Sequence, residues 1–135
     1  MDISIVNRQK KVRIPREILT RTKKVLRHKR LKGRLTIVFV TDVVIKKLNQ
    51  KYLKHDYATD VITFDYSSQK KELFGEIVIS IDTARRQAKS YGTSMVDELT
   101  LYVFHGILHL LGFDDHQPKD IRKMKKKEQE LMQLT

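Results

Sequence analysis

The stretch "LTLYVFHGILHLLGFDDH", residues 99–116, joins an apolar run to a turn crowded with histidine and aspartate. From Leu99 to Leu111 it is too apolar for a surface element and shorter than the ~20 residues a membrane span needs, so it predicts a buried helix. His105 and His109 are four residues apart, which puts both side chains on one face on successive turns. A polar group in such a helix needs a partner or a ligand, because burying it unpaired is costly. Gly112 can adopt the left-handed conformation that ends a helix and folds the chain back, returning Asp115 toward the two imidazoles. The spacing H-x3-H-x2-G-x2-D parallels the long zinc-metalloprotease pattern of two helical histidines, a turning glycine and a third ligand. Two histidines and one carboxylate form a three-ligand site with an open position, and an ion held that way lowers the pKa of its water to about 7. Metalloproteases carry a glutamate after the first histidine as general base. Gly106 stands there, so the protease reading loses its base, and a glycine also lets a substrate or another backbone approach closely. The competing reading of the pair is an incidental i, i+4 coincidence.

Outward from this helix, the periodicities alternate between strand and helix. "ISIVN" (3–7), "RLTIVFV" (34–40), "DVITFDY" (60–66) and "LFGEIVISI" (73–81) predict four strands, with Gly75 marking a bulge or a close approach. Helices are predicted over 14–30, opened by Pro15, and from Thr41 and Asp42, as caps, to about Leu53. Three more run over 82–92, 94–111 and 117–135. Without repeats, low-complexity tracts or linkers, the expectation is one α+β domain over 1–135, with about four strands and five helices.

Lys and Arg number 28 against 16 Asp and Glu, a formal net charge of +12. So strong a positive field suits nucleic acid ahead of an anionic membrane or an acidic protein. The basic runs "RHKRLKGR" (27–34), Lys70–Lys71 and "RKMKKK" (122–127) supply it. Each alone reads as a solvated face, and together they suit RNA backbone binding. No cysteine is present, which excludes a disulfide framework and thiolate ligands and suits a reducing compartment. "MDISIVNRQKK" has no signal-peptide apolar block, so the expected location is cytoplasmic, with no membrane partner.

"HGILHLLGFDDH" (105–116) resembles the signature of the YbeY family of bacterial endoribonucleases, H-G-x-L-H-L-x-G-Y/F-D-H. His105, Gly106, Leu108, His109, Leu110, Gly112, Phe113 and Asp114 fit it. A second block, L-N-x-x-Y-R-x-K-D-x-P-T-D-V-L-S-F, is matched at Leu48, Asn49, Tyr52, Asp56, Thr59, Asp60, Val61 and Phe64, and "GEIVIS" (75–80) echoes a third. The resemblance implies a mixed four-stranded sheet with helices around it and a zincin-like metal helix. It also implies one divalent ion, zinc first, and single-strand-type, metal-dependent endoribonuclease action in small-subunit ribosomal RNA maturation and ribosome quality control. The implied partners are ribosomal RNA precursor and the small ribosomal subunit.

Two positions depart from the family pattern. Asp115 stands where the pattern has histidine, with His116 one residue later. Asp115 keeps the spacing from Gly112 and is the expected third ligand, with His116 as the alternative; a carboxylate there favours a harder ion. Leu53 stands where the pattern has arginine, a residue suited to phosphate charge, and Lys54 and His55 are the neighbours able to substitute. Lys54, His55, Lys70 and Lys71 are the candidate RNA contacts. Asp114 is a candidate to orient a ligand imidazole, or else stabilises its turn. Asp60 and Thr59 are expected as strand-end hydrogen bonders or as residues facing the cleft, and Glu98 as an N-terminal helix charge. Beyond metal-activated water no catalytic residue is identified. The alternatives to an endoribonuclease are a non-cleaving ribosome-binding assembly factor and a metallohydrolase of peptides or small molecules.

Overall fold

A computed structural model describes residues 1–53, 60–67 and 72–135. The chain runs β1 (Asp2–Asn7), α1 (Glu17–His28), β2 (Gly33–Val40), α2 (Asp42–Leu48), a π-helical turn (Asn49–Leu53), β3 (Val61–Asp65), β4 (Leu73–Ser80), α3 (Ile81–Tyr91), α4 (Met95–Leu110) and α5 (Pro118–Gln133). The sheet order is β1-β2-β4-β3, with β1, β2 and β4 parallel and β3 antiparallel to β4. The periodicities predict an α+β domain of about four strands and the family resemblance a mixed sheet, and the structure has both.

Parallel strands need crossovers, and α1 provides the one between β1 and β2. Alternation along the strands then sorts the core into two layers. Leu35, Ile37, Phe39, Ile77 and Ile79 face a large core built with α1, α3, α4 and α5. Val38, Val40, Ile62 and Val78 face the other way, onto Ile45 of α2. Continuous burial at the ends of β2 and β4 marks strands covered on both faces.

The most apolar helix, α4, lies against β4 at two glycines. A Cβ on Gly106 would come within 2.7 Å of Ile77 Cδ1, and one on Gly75 within 2.7 Å of Leu110 Cδ2. Gly75 therefore serves close approach and no bulge: β4 pairs without interruption through Leu35↔Gly75 and Asp65↔Gly75. Gly106 likewise admits the sheet rather than a substrate.

Several predicted boundaries shift. Helix α1 begins at Glu17, leaving Pro15 ahead of the Arg16 cap, where its carbonyl accepts from the Ile18 amide at 3.2 Å. β4 stops at Ser80 because that residue caps α3, its hydroxyl accepting from the Thr83 amide. The predicted helix over 41–53 ends as α-helix at Leu48 and continues as the π-helical turn. Thr41 caps α2 without a side-chain bond. Asp42 instead accepts from the Ser80 hydroxyl at 2.5 Å, the Thr83 hydroxyl at 2.8 Å and Arg86 Nη1 at 2.7 Å. The Asp42 amide donates to Asp82, whose other oxygen meets Lys11 Nζ at 3.0 Å. These bonds tie the exits of β2 and β4 to the β1–α1 connection.

Burial pushes the Asp42 carboxyl up, but the bonds from Ser80, Arg86 and Thr83 outweigh it and hold Asp42 below the ordinary aspartate range. Asp82 is held low in the same sense, against burial, by the Asp42 amide and Lys11. A depressed folded-state pKa contributes stability above the unfolded value and loses it as pH falls through the folded one. Asp42→Asn should therefore melt lower than the parent at neutral pH, and the gap should close below pH about 4. Thermal melts across pH check this.

Helix α1 ends on Arg30, a non-glycine residue at φ +54°. The Arg30 amide donates to the Arg27 carbonyl at 3.0 Å and the Leu31 amide to the Leu26 carbonyl at 2.9 Å, the paired bonds of a Schellman ending. A left-handed residue with a Cβ costs about 1 kcal/mol or more, so Arg30→Gly should raise the melting temperature. A melting temperature at or below the parent's would contradict this account of the turn.

Candidate metal centre

Helix α4 starts at Ser94, whose hydroxyl accepts from the Asp97 amide at 3.1 Å, and closes at Gly112, φ +98°. The Gly112 amide donates to the His109 carbonyl at 3.0 Å and the Phe113 amide to the Leu108 carbonyl at 2.9 Å. The chain is thereby turned back over the last helical turn. With Gly106 and Leu110 fixed against the sheet, His105 and His109 are left partly exposed on a flank of α4 beyond the core.

The turn brings Asp115 onto them. His105 Nε2 and His109 Nε2 are 3.0 Å apart, and Asp115 Oδ2 is 3.4 Å from each. Two ring nitrogens this close cannot both carry a proton toward the other, so at least one lone pair points into the triangle. Ligands 2.0–2.1 Å from a tetrahedral ion lie about 3.3–3.4 Å apart, and the three atoms match that spacing within a few tenths of an ångström. The donor set, two imidazoles and one carboxylate, suits a divalent ion with one position open.

Glu128, on α5 and mostly buried, brings Oε1 to 3.6 Å from His105 Nδ1, on the side of the ring away from the triangle. Burial pushes His105 toward its neutral form. The facing carboxylate of Glu128, with the charges of Asp115 and Asp60 beyond it, outweighs burial and holds the imidazole above its ordinary range. A carboxylate behind a ligand histidine fixes its tautomer and orientation.

The Endoribonuclease YbeY family model matches residues 4–135. The chain belongs to the YbeY family. A YbeY endoribonuclease of Syntrophus aciditrophicus is 41% identical over 143 residues, 99% of this chain and 89% of that protein. One from Bacteroides thetaiotaomicron is 42% identical, over 76% of this chain and 74% of its own length. For one from Anaeromyxobacter dehalogenans the identity is 48% over 72% of this chain, which spans about half (51%) of that longer relative. A protein of Thermotoga maritima solved in solution superposes with a TM-score of 0.74 at 25% identity, over 98% of this chain and 87% of its own.

Other candidate residues take different places. Asp114 accepts from the Asp115 amide at 2.7 Å and lies 3.3 Å from His116 Nε2, so its carboxylate shapes the turn and faces His116. The carboxylate behind the His105 ring, at its Nδ1, is Glu128. His116 is 81% exposed and shares a second acidic grouping with Asp114 and Asp115, outside the histidine pair. Asp60 bonds the Val61 amide at 2.8 Å, as a strand-end residue does, and its charge also reaches His105. Glu98 is buried and accepts from the Thr93 hydroxyl at 2.8 Å, fastening the α3–α4 connection. Leu53 is exposed at the end of the π-helical turn, beside Tyr52, whose ring packs edge-on against Phe64 at 5.4 Å. Lys54, His55, Asp56, Thr59, Lys70 and Lys71 lie outside the described residues. Sequence reasoning missed Glu128; its only signal was an acid on the inner side of a strongly basic helix.

If this geometry holds an ion, Asp115→Ala should reduce divalent-metal content in the purified protein far more than His116→Ala, and His109→Ala should abolish it. Glu128→Gln should keep the fold and weaken metal affinity by about 10- to 100-fold. It should also move the onset of metal uptake to lower pH, because protons on His105 compete with the ion and Glu128 favours that proton. Metal titration at several pH values checks both effects, and an unchanged onset would remove Glu128 from the centre.

Proposed function

We propose that this chain is a metal-dependent endoribonuclease acting on precursor RNA of the small ribosomal subunit. The observation that carries this reading is the three-atom triangle of His105, His109 and Asp115, with edges of 3.0, 3.4 and 3.4 Å, in a chain of the YbeY family. An ion bound there, zinc first on the donor set and the family, supplies a Lewis acid for a phosphoryl oxygen and acidified water. The chain's own residues do the rest. His105 and His109 present their Nε2 atoms from successive turns of a rigid helix, Glu128 orients His105, and the Gly112 turn places Asp115. The partly exposed face of the triangle leaves an approach for a phosphodiester. The basic surface draws RNA toward it.

Peptide hydrolysis has less support. The position where a zincin carries its general base is Gly106, and in this helix that position faces Ile77 in the core. A second reading, a ribosome-binding factor that cleaves weakly or not at all, is favoured by Leu53, which offers no charge where the family pattern has arginine. No helix among the described residues is long and apolar enough to cross a membrane. We read residues 1–135 as one working domain of a cytoplasmic protein.

A cleavage assay on structured precursor RNA, run alongside metal analysis, tests the proposal. The parent should cleave with the ion bound and stop on chelation. Leu53→Arg should raise the rate by about 10- to 1,000-fold, the range for one electrostatic donor, with RNA affinity little changed. Metal-loaded parent and variant that both bind RNA but leave it intact would favour the assembly-factor reading.

A further inference from the structure

The amino ends of β1 and β2 and the last turn of α1 enclose a groove of about 620 Å³ that shares no lining residue with the histidine triangle. Its floor is apolar, from Ile3 and Leu26, and its rim carries Lys23, Arg27, Arg30 and Lys32. All four cations are exposed, and none has an ion-pair partner among the described residues. Lys23 and Arg27 are one helical turn apart, about 6 Å along the axis, and Arg30 and Lys32 carry the row past the helix end. A second cleft of about 390 Å³ on the flank of α1 is lined by Lys23, Lys24 and Arg27, so the charge continues around the helix.

Arg30 adds an independent sign. It holds a left-handed backbone that glycine would adopt at lower cost, so the chain keeps a guanidinium on the rim at some expense in stability. Among the described residues no aromatic side chain lines the groove, so they offer nothing there on which bases could stack. Its chemistry is phosphate contact without base readout.

We propose that this groove is a second RNA-backbone site, which anchors the phosphates of a substrate whose cleavable segment lies at the histidine triangle. The proposal rests on the RNA-cleaving reading above. Leu31 walls both this groove and a cleft of about 220 Å³ lined by Leu111 and Phe113, so the anchor borders the turn that leads to Asp115. RNA is favoured over an acidic protein segment because the cations continue from the groove around the helix into the second cleft, a longer track of positive charge than the groove alone.

Two variants test the site: Arg30→Gly, which should not lose stability, and the surface double variant Lys23→Glu/Arg27→Glu. The probe is a single-stranded RNA oligonucleotide, titrated over a range of salt concentrations. Each lost phosphate contact should flatten the slope of log affinity against log salt by about 0.7, so by ~0.7 for Arg30→Gly and ~1.4 or more for the double variant. Metal content should stay at the parent level. Cleavage of long RNA should lose through KM rather than kcat, and cleavage of a very short oligonucleotide should be unchanged. A parent that binds RNA with a steep slope, beside variants with the same slope, overturns the groove proposal and leaves the nuclease reading standing. An intact RNA slope with lost binding of polyglutamate assigns the groove to an acidic protein and also overturns it. A parent with no salt-dependent RNA binding overturns the groove and the nuclease reading together.

Discussion

The close approach of α4 to β4 sets the position of everything chemical in this protein. Four residues of helix rise about 6 Å and two residues of strand about 6.6 Å, so a helix laid along a strand meets it at matched intervals. Gly106 over Ile77 and Leu110 over Gly75 are two successive meetings of that kind, each with a glycine on one side. Side chains at both glycine positions would push the helix off the sheet, and overpacking of this sort costs about 1–3 kcal/mol. Because this seam fixes the rotation of α4, it also fixes which flank His105 and His109 occupy. The glycine that disqualifies the helix as a protease helix is thus the one that seats it.

The rest of the centre is assembled from backbone hydrogen bonds rather than from long side chains. The paired bonds across Gly112 end α4 and reverse the chain at once, so Asp115 reaches both imidazoles with a single carboxylate oxygen. Helix α5 then packs its inner face on α4 through Met124 and Leu131, and Glu128, on the same face between them, is carried to His105. A candidate ligand set held by a helix, a tight turn and a packed neighbour would need little reorganisation to receive an ion.

Much of this was legible in the sequence, for physical reasons that differ by element. β2, β4 and α4 announce themselves because burial on both faces, or on most sides, leaves apolar runs, and β1 because its apolar and polar residues alternate. The candidate ligands His105, His109 and Asp115 are legible because helical spacing and a turning glycine leave few other geometries. Pairings distant in sequence were not. Asp42 looks like a helix cap, yet its carboxylate is claimed by Ser80, Thr83 and Arg86 from another element. Asp114 is adjacent in sequence to Asp115 but bonds locally, while Glu128, 23 residues from His105, faces its ring. Local spacing finds ligands, but their supporting partners depend on how helices dock, which periodicity does not encode. The π-helical ending of α2 was equally invisible, since its residues read as ordinary helix.

The charge distribution joins the two halves of the function. The molecule carries +12 overall, yet Asp115, Glu128 and Asp60 all act electrostatically on His105. The centre is therefore an acidic spot in a basic surface, attractive to a cation and repulsive to phosphate. A bound divalent ion would reverse the sign of that spot, since such an ion is the largest local charge in its site. The long-range field and the local field then act in sequence. The first would raise the encounter rate with RNA irrespective of metal, and the second would favour a phosphodiester at the triangle only with an ion held by His105, His109 and Asp115. A carboxylate at position 115 would then have an electrostatic consequence beyond any ligation. It lowers the net charge of the loaded centre by one relative to a histidine, so more of the attraction for phosphate must come from the surrounding basic surface.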